Sequence, residues 1–255
     1  MTEVSRPVRG RRVVDRLFIR SRVTEIEPVA ARMRRIRLSG TGIRGLACVP
    51  GQQVRVLVSD LFSFETVRHA FRDALRTYSV WDHDPAAGTL DLCVLQHSSS
   101  SDGPGARWSK SLAVGDEVAF RQPEGNLVLH PADYHVFLGE ETASVAFGAI
   151  LRAAPADARV FGVIEVDGEG DRLRLPRGDD LSWHLREGRP AESSAGLLAA
   201  AQALQLPDSP GFLYLAGEAK TCSAIRRHFI DDRGWPAKTS MVVKPFWTPG
   251  KRGLE

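Results

Sequence analysis

Arg76, Tyr78 and Ser79 stand as Arg-x-Tyr-Ser in a stretch that reads as a β-strand. Side chains alternate along a strand, so Arg76 and Tyr78 share one face while Ser79 takes the other unless the strand bends. The same pattern would also serve as the polar face of an ordinary edge strand. Leu95, Gln96 and His97 end the next strand and run into Ser98 to Ser101, then Asp102-Gly103-Pro104-Gly105-Ala106-Arg107-Trp108. Small residues there let a backbone come close to a ligand, and a helix starting near Pro104 would aim free N–H groups at an anion such as a pyrophosphate. The serine run alone would equally make a surface loop. Cys48, Cys93 and Cys222 are odd in number, far apart and in no Cys-x-x-Cys pair, so no disulfide framework, zinc site or iron–sulfur cluster is encoded. No metal site is expected, and a reducing cytoplasm fits.

The elements that must hold these residues fall into two halves. Val54, Val56 and Val58 alternate with Arg55 and Leu57 after Pro50-Gly51, Leu90, Leu92 and Val94 alternate after Gly88, and Val118 and Phe120 follow Gly115-Asp116. With Val23–Ile26, Met33–Leu38 and Arg76–Trp81 this predicts about six strands, spaced as in a barrel or a sandwich. From Pro131 the rhythm becomes strand, turn and helix. Tyr134–Leu138 is a strand broken by Gly139, Thr142–Ala154 a helix stopped by Pro155, and Val160–Val166 a strand. Ser193 or Ser194 caps a helix carrying Leu197, Leu198, Ala201 and Leu204. Phe212–Ala216 is a strand, Gly217 a turn, Glu218–Asp231 a helix, and Met241–Val243 the last strand. Such alternation predicts a parallel sheet covered on both faces, with a crevice at the carboxyl ends of its strands.

The 255 residues, 43% hydrophobic and 25% charged, suit a globular chain of two domains, and a net charge of +3 is too small to argue for nucleic acid. The most apolar stretch, Ala143 to Ala154, is cut by Arg152 and falls short of the ~20 residues of a membrane span. Arg6, Arg9, Arg11, Arg12, Arg16, Arg20 and Arg22 crowd the amino terminus without the apolar core of a signal peptide, which reads as a solvated tail leading into the first strand or as an anion-attracting arm.

Taken in order, several segments resemble the siderophore-interacting proteins, flavin-dependent ferric-siderophore reductases of the ferredoxin-reductase-like superfamily. They are Met33-Arg34-Arg35-Ile36-Arg37-Leu38-Ser39-Gly40, Pro50-Gly51-Gln52-Gln53-Val54, Arg76-Thr77-Tyr78-Ser79-Val80, Gly103 to Trp108, Gly139-Glu140-Glu141-Thr142-Ala143, Ala216-Gly217-Glu218-Ala219 and Phe246-Trp247. The resemblance implies a six-stranded antiparallel flavin-binding β-barrel over residues 1–131, then an open parallel-sheet α/β domain of the ferredoxin-NADP reductase kind over 132–255. It implies FAD held by Arg76, Thr77, Tyr78 and Ser79. Arg76 would lie on the pyrophosphate, Tyr78 against the isoalloxazine or ribityl chain, and Ser79 near flavin N5, with Tyr78 and Ser79 closest to the chemistry. Leu95, Gln96 and His97 would run beside the flavin, Gly103, Gly105, Ala106, Arg107 and Trp108 would cradle the diphosphate, and Thr142 and Ala143 would sit at the seam. Gly217 and Glu218 mark where related reductases place a nicotinamide nucleotide; a plain strand-to-helix turn explains them equally. This chain departs from the family at Ser98, at Glu124 in Gln122-Pro123-Glu124-Gly125, and at Phe246-Trp247 followed by Thr248. No Gly-x-Gly-x-x-Gly occurs in the α/β half.

The implied activity is reduction of a ferric siderophore, releasing Fe(II) in the cytoplasm, with NADH, NADPH or a ferredoxin as donor. A flavin converts two-electron supply into one-electron delivery. The protein itself need not ligate iron, and His97, His130 and His184 receive no acid–base role. Lys244, Lys251 and Arg252, with Arg68, His69 and Arg72, are expected to form a basic rim that docks anionic siderophores. A monomer without nucleic-acid or membrane partners is expected. The rival readings are the flavin reductase component of another electron-transfer chain and a siderophore-binding module without redox chemistry.

Overall fold

The computed structural model describes residues 17–58, 74–96 and 103–251. Its first strands are β1 (Ile19–Ala30), β2 (Met33–Ser39), β3 (Gln53–Leu57), β4 (Leu75–Asp84), β5 (Thr89–Leu95) and β6 (Glu117–Phe120). They close into an antiparallel barrel in the order β1-β2-β5-β4-β3-β6. The alternating residues explain the closure. Val54, Val56, Leu90, Leu92, Val94, Val118 and Phe120 are all buried in one cluster that fills the interior. β4 pairs with β3 on one side and β5 on the other, so its polar face does not belong to an edge strand. Of the amino-terminal arginines, Arg20 and Arg22 lie on β1 and reach Glu117 of β6; Arg6, Arg9, Arg11, Arg12 and Arg16 lie outside the described residues.

Helix α1 (Pro104–Ser111) follows β5, and the second half forms a parallel sheet of β7 (Tyr134–Glu140), β8 (Arg159–Val166), β9 (Ser182–Leu185), β10 (Phe212–Glu218) and β11 (Met241–Trp247) in the order β11-β10-β7-β8-β9. Every residue of β7 and β10 is buried because helices cover both faces. Helix α2 (Ala143–Ala153) packs on the face of Phe137, Tyr214 and Ile164, and helices α3 (Ala195–Ala203) and α4 (Ala219–Arg227) on the face of Val136, Leu138 and Leu213. Phe137 and Tyr214 stack at 4.6 Å. Each such side chain contributes about 1.5–3 kcal/mol on burial, well above the ~1 kcal/mol of a helix cap.

Four sequence expectations change. Gly139 does not break β7. It lies within the strand, where a Cβ would collide with the Ala216 carbonyl and Ala143. Gly217 likewise continues β10 at φ 127°, and the turn comes after it. The last helix reaches as far as expected but changes type, with α4 ending at Arg227 and continuing as a π-helical turn over His228–Asp232 that sets Phe229 against Trp235. Strand β9 is absent from the sequence reading because it has four residues, none fully buried, at the sheet edge.

The barrel and the sheet share a core. Met33 and Cys93 of the barrel cluster with Phe147 and Ile150 of α2, and Trp81 of β4 lies on Gly148, where any Cβ would strike its ring. The Arg152 guanidinium sits 4.8 Å over the Trp81 ring and donates to its carbonyl at 2.7 Å. In the β1–β2 turn Arg32 reaches across to Asp171 (3.0 Å) and Glu141 (3.1 Å).

Candidate functional site

Register sets Tyr78 opposite Val54 and Arg76 opposite Val56, so both lie on the side of β4 that the barrel-filling valines occupy on β3. Ser79 faces the other way, opposite Gln53, and its buried hydroxyl accepts from Gln53 Nε2 at 3.4 Å, leaving its own proton to donate. Just beyond, the β4–β5 register shifts between Val80 and Asp82, an irregularity of the kind that bends a strand. Thr77 is exposed.

Helix α1 stands over this face. Tyr78 Oη donates to the Gly105 carbonyl at 3.4 Å, and its ring lies 5.4 Å from that of Trp108. Burial pushes the Tyr78 phenol up, with Arg76 pulling against it. Gly105 is required by this approach, since a Cβ there would fall 2.9 Å from Tyr78 Oη and 3.1 Å from Arg76 Cγ. The Arg76 guanidinium donates to the Leu75 carbonyl at 2.7 Å. Among the described residues no side chain caps the start of α1, its first turn holds no acid, and Pro104 occupies its first position, so the N–H groups of Gly105 and Ala106 lack helical partners. A Cβ on Gly103 would meet none of the described residues, and Arg107 is exposed.

Gln96 also holds elements together. Its side chain donates to Ser109 Oγ at 3.2 Å, and its backbone N–H to the Arg32 carbonyl at 2.6 Å, which ties α1 to the end of β5 and to the inter-lobe turn. Leu95 packs into the shared core. His97, Arg68, His69, Arg72 and Arg252, all expected around the site, lie outside the described residues.

The seam side is built by the carboxyl ends of β7 and β10. Thr142 gives its N–H to Glu140 Oε2 at 2.9 Å and its hydroxyl to Glu140 Oε1. Ala143, expected beside a cofactor, is fully buried against Gly139 and so packs instead of presenting a surface. Glu218 caps α4, accepting from Lys220 N (2.9 Å), Thr221 N (2.8 Å) and Ser193 N (3.1 Å). Burial alone would raise its carboxyl, but these N–H groups outweigh burial and hold it below the usual range. Lys244 is half-buried on β11, Lys251 is exposed just after it, and neither forms an ion pair among the described residues.

Sequence reasoning quoted Glu140 and Glu141 within a motif and gave neither a role. Glu140 is buried, accepts also from the Trp247 indole N–H at 3.0 Å, and is pushed up to about 7 by burial and by Glu141. Glu141 is bound bidentately by Arg186 at 2.5 and 2.6 Å. The signal in the sequence was adjacent acids at the end of an apolar strand.

An anion and a flat ring are what this arrangement suits. Uncapped N–H groups and the Arg76 side chain meet at Gly105 beside an aromatic face, with the Ser79 hydroxyl on the opposite face of the strand, and FAD presents a diphosphate and a conjugated ring to such a set. Two surface concavities lie elsewhere, one of about 250 Å³ beside Asp82 and Asp91 and one of about 460 Å³ beside His130 and His135.

Comparison with known proteins agrees. Residues 22–127 match the siderophore-interacting FAD-binding domain, and residues 132–250 the siderophore-interacting protein domain. The ferric vibriobactin reductase ViuB of Vibrio cholerae is 26% identical over 181 residues, a stretch covering 69% of this chain and 65% of that protein. A siderophore utilization protein from T. fusca superposes with a TM-score of 0.79 at 24% identity, over 93% of this chain and 95% of that one. The ferredoxin-NADP+ reductase of Plasmodium falciparum superposes with a TM-score of 0.68 at 11% identity, over 90% and 96%, which shows a shared fold. With one family profile matched on the barrel and the other on the sheet, the chain belongs to the siderophore-interacting proteins, and its barrel matches their FAD-binding domain.

Proposed function

We propose that this protein uses FAD to reduce ferric siderophores in the cytoplasm, so that iron leaves as Fe(II). The observation that carries the reading is the meeting of Arg76, Tyr78 and the uncapped start of α1 at Gly105, within a chain of this family. Bound FAD supplies the exchange between two-electron and one-electron transfer. Arg76 and the N–H groups of Gly105 and Ala106 bind its diphosphate, with Gly103, Arg107 and Trp108 bordering them. Tyr78 and Thr77 orient the ring system, Ser79 donates a hydrogen bond at its reactive edge, and Leu95, Gln96 and His97 border it. Thr142 lies across the seam, and Gly217 and Glu218 stand where a reduced nicotinamide, NADH or NADPH, approaches; a ferredoxin is the alternative donor. In this reading the division at 131/132 separates the flavin lobe from the donor lobe.

Hard oxygen ligands hold Fe(III) largely through charge, so a one-electron reduction weakens the complex without any protein ligand to iron. Lys244 and Lys251, with Arg252, Arg68 and Arg72, form the docking rim for an anionic ferric siderophore. The test is anaerobic mixing of the reduced holoprotein with a ferric siderophore and a chromogenic ferrous chelator. A coloured ferrous complex, formed faster at low salt, is the expected result. Colourless protein that binds the siderophore would make it a carrier, and flavoprotein that yields no Fe(II) would make it a reductase for another acceptor. Lys244→Ala with Lys251→Ala should slow siderophore reduction several-fold and flatten its salt dependence; an unchanged slope removes the rim.

A further inference from the structure

The strand order β11-β10-β7-β8-β9 changes direction between β7 and β10, and open α/β sheets take their ligands in the crevice outside that point. A dinucleotide usually rests its diphosphate there, on the N–H groups of a helix amino terminus. Here each flanking turn already holds a carboxylate of the chain's own. Glu140 occupies the turn into α2 through Thr142, and Glu218 occupies the start of α4 through Lys220 and Thr221. The two acids stand on neighbouring strand ends. A Cβ on Gly217 would lie 2.9 Å from Glu140 Oε1, and both acids act on the Cys222 thiol of α4. Glu141 and Glu165 add two more buried carboxylates at the ends of β7 and β8, answered by Arg186 and by Arg32 from the barrel.

We infer that Glu140 and Glu218 exclude the diphosphate of a dinucleotide from the switch-point crevice, so that a nicotinamide donor enters ring first with its phosphates directed away. The inference rests on the flavin-reductase reading for its place in the reaction, but the exclusion itself is a binding property independent of flavin chemistry. Burial and Glu141 hold the Glu140 carboxyl near neutrality, and the other groups around it are Arg186, Cys222, Thr142 and the Trp247 indole. Its charge is therefore removable by acid, whereas Glu218 stays ionised.

The experiment titrates the FAD-loaded full chain with ADP-ribose at low salt and pH 8, by calorimetry and by amide shifts of Thr142 and Lys220. The wild type should show no saturation below millimolar concentrations. Glu140→Gln and Glu218→Gln, which keep one of the two accepting oxygens, should each tighten binding about tenfold or more, and acidifying the wild type to pH 6 should tighten it several-fold without any substitution. Micromolar binding by the wild type with shifts at those amides overturns the inference, as does a wild-type affinity indifferent to pH together with folded variants that gain nothing. A protein that fails to release Fe(II) yet behaves this way toward ADP-ribose loses the proposed function and keeps the exclusion.

Discussion

Arg76 and Tyr78 are held differently, and this decides what their loss would do. Arg76 is half-buried beside α1, so under the proposed function Arg76→Ala removes a charge-assisted contact of about 1.5–3 kcal/mol to the FAD diphosphate. Flavin affinity should fall roughly 10- to 100-fold, with circular dichroism unchanged; full flavin occupancy after gel filtration would refute the assignment. Glu140 offers a second test through pH. Its folded-state carboxyl is raised from 4.5 to about 7, so the native state binds a proton that the unfolded chain has released. Stability should fall as pH rises from about 4.5 to 7 and level off above that, by roughly 3 kcal/mol for this group. Urea denaturation of Glu140→Gln across this range should show that slope flattened, and a slope equal to the wild type's would reject it. The motif Arg-x-Tyr-Ser was legible at this scale because strand periodicity alone separates Ser79 from its neighbours. The work of Gln96 and Ala143 was not, since a hydrogen bond to Ser109 and contact with Gly139 join elements distant in sequence.

Among the elements, α2 and β4 form the joint between barrel and sheet. Gly148 admits the Trp81 ring, and no rotamer of a larger residue could leave that Cβ position. Gly148→Val is expected to lower stability by about 1–3 kcal/mol through overpacking, while Gly103→Ala, meeting none of the described residues, should change it little. Thermal denaturation of the two variants checks the contrast, and equal midpoints would dissolve it. Most elements were readable because their apolar residues recur at the period of a strand or helix. Gly139 and Gly217 misled because glycine marks a turn in sequence and, equally well, a place where another backbone passes close. β9 was hidden because an edge strand of four residues buries too little to leave a pattern.

At the scale of the whole molecule, Arg32 links the barrel turn to the carboxyl edge of the sheet through Glu141 and Asp171, and its carbonyl receives the N–H of Gln96. Arg32→Ala leaves a buried Glu141 with Arg186 alone and Asp171 without its guanidinium. Because Arg32 is partly exposed, the expected loss is about 1–3 kcal/mol, below that of a fully buried pair. Flavin affinity should weaken with it, since α1 is tied to the same turn. Denaturation followed separately by flavin release and by far-ultraviolet dichroism would then give two midpoints; coincident curves at wild-type stability would remove the clamp. By itself, the sequence determined the barrel strands, the βα alternation and the residues apt for a diphosphate and a ring, because local periodicity and turn chemistry encode them. Only the tertiary structure decided that Glu140 and Glu218 fill the switch point and that Arg32 joins the lobes. Those contacts depend on which strand ends become neighbours, and that follows from the strand order of the closed fold.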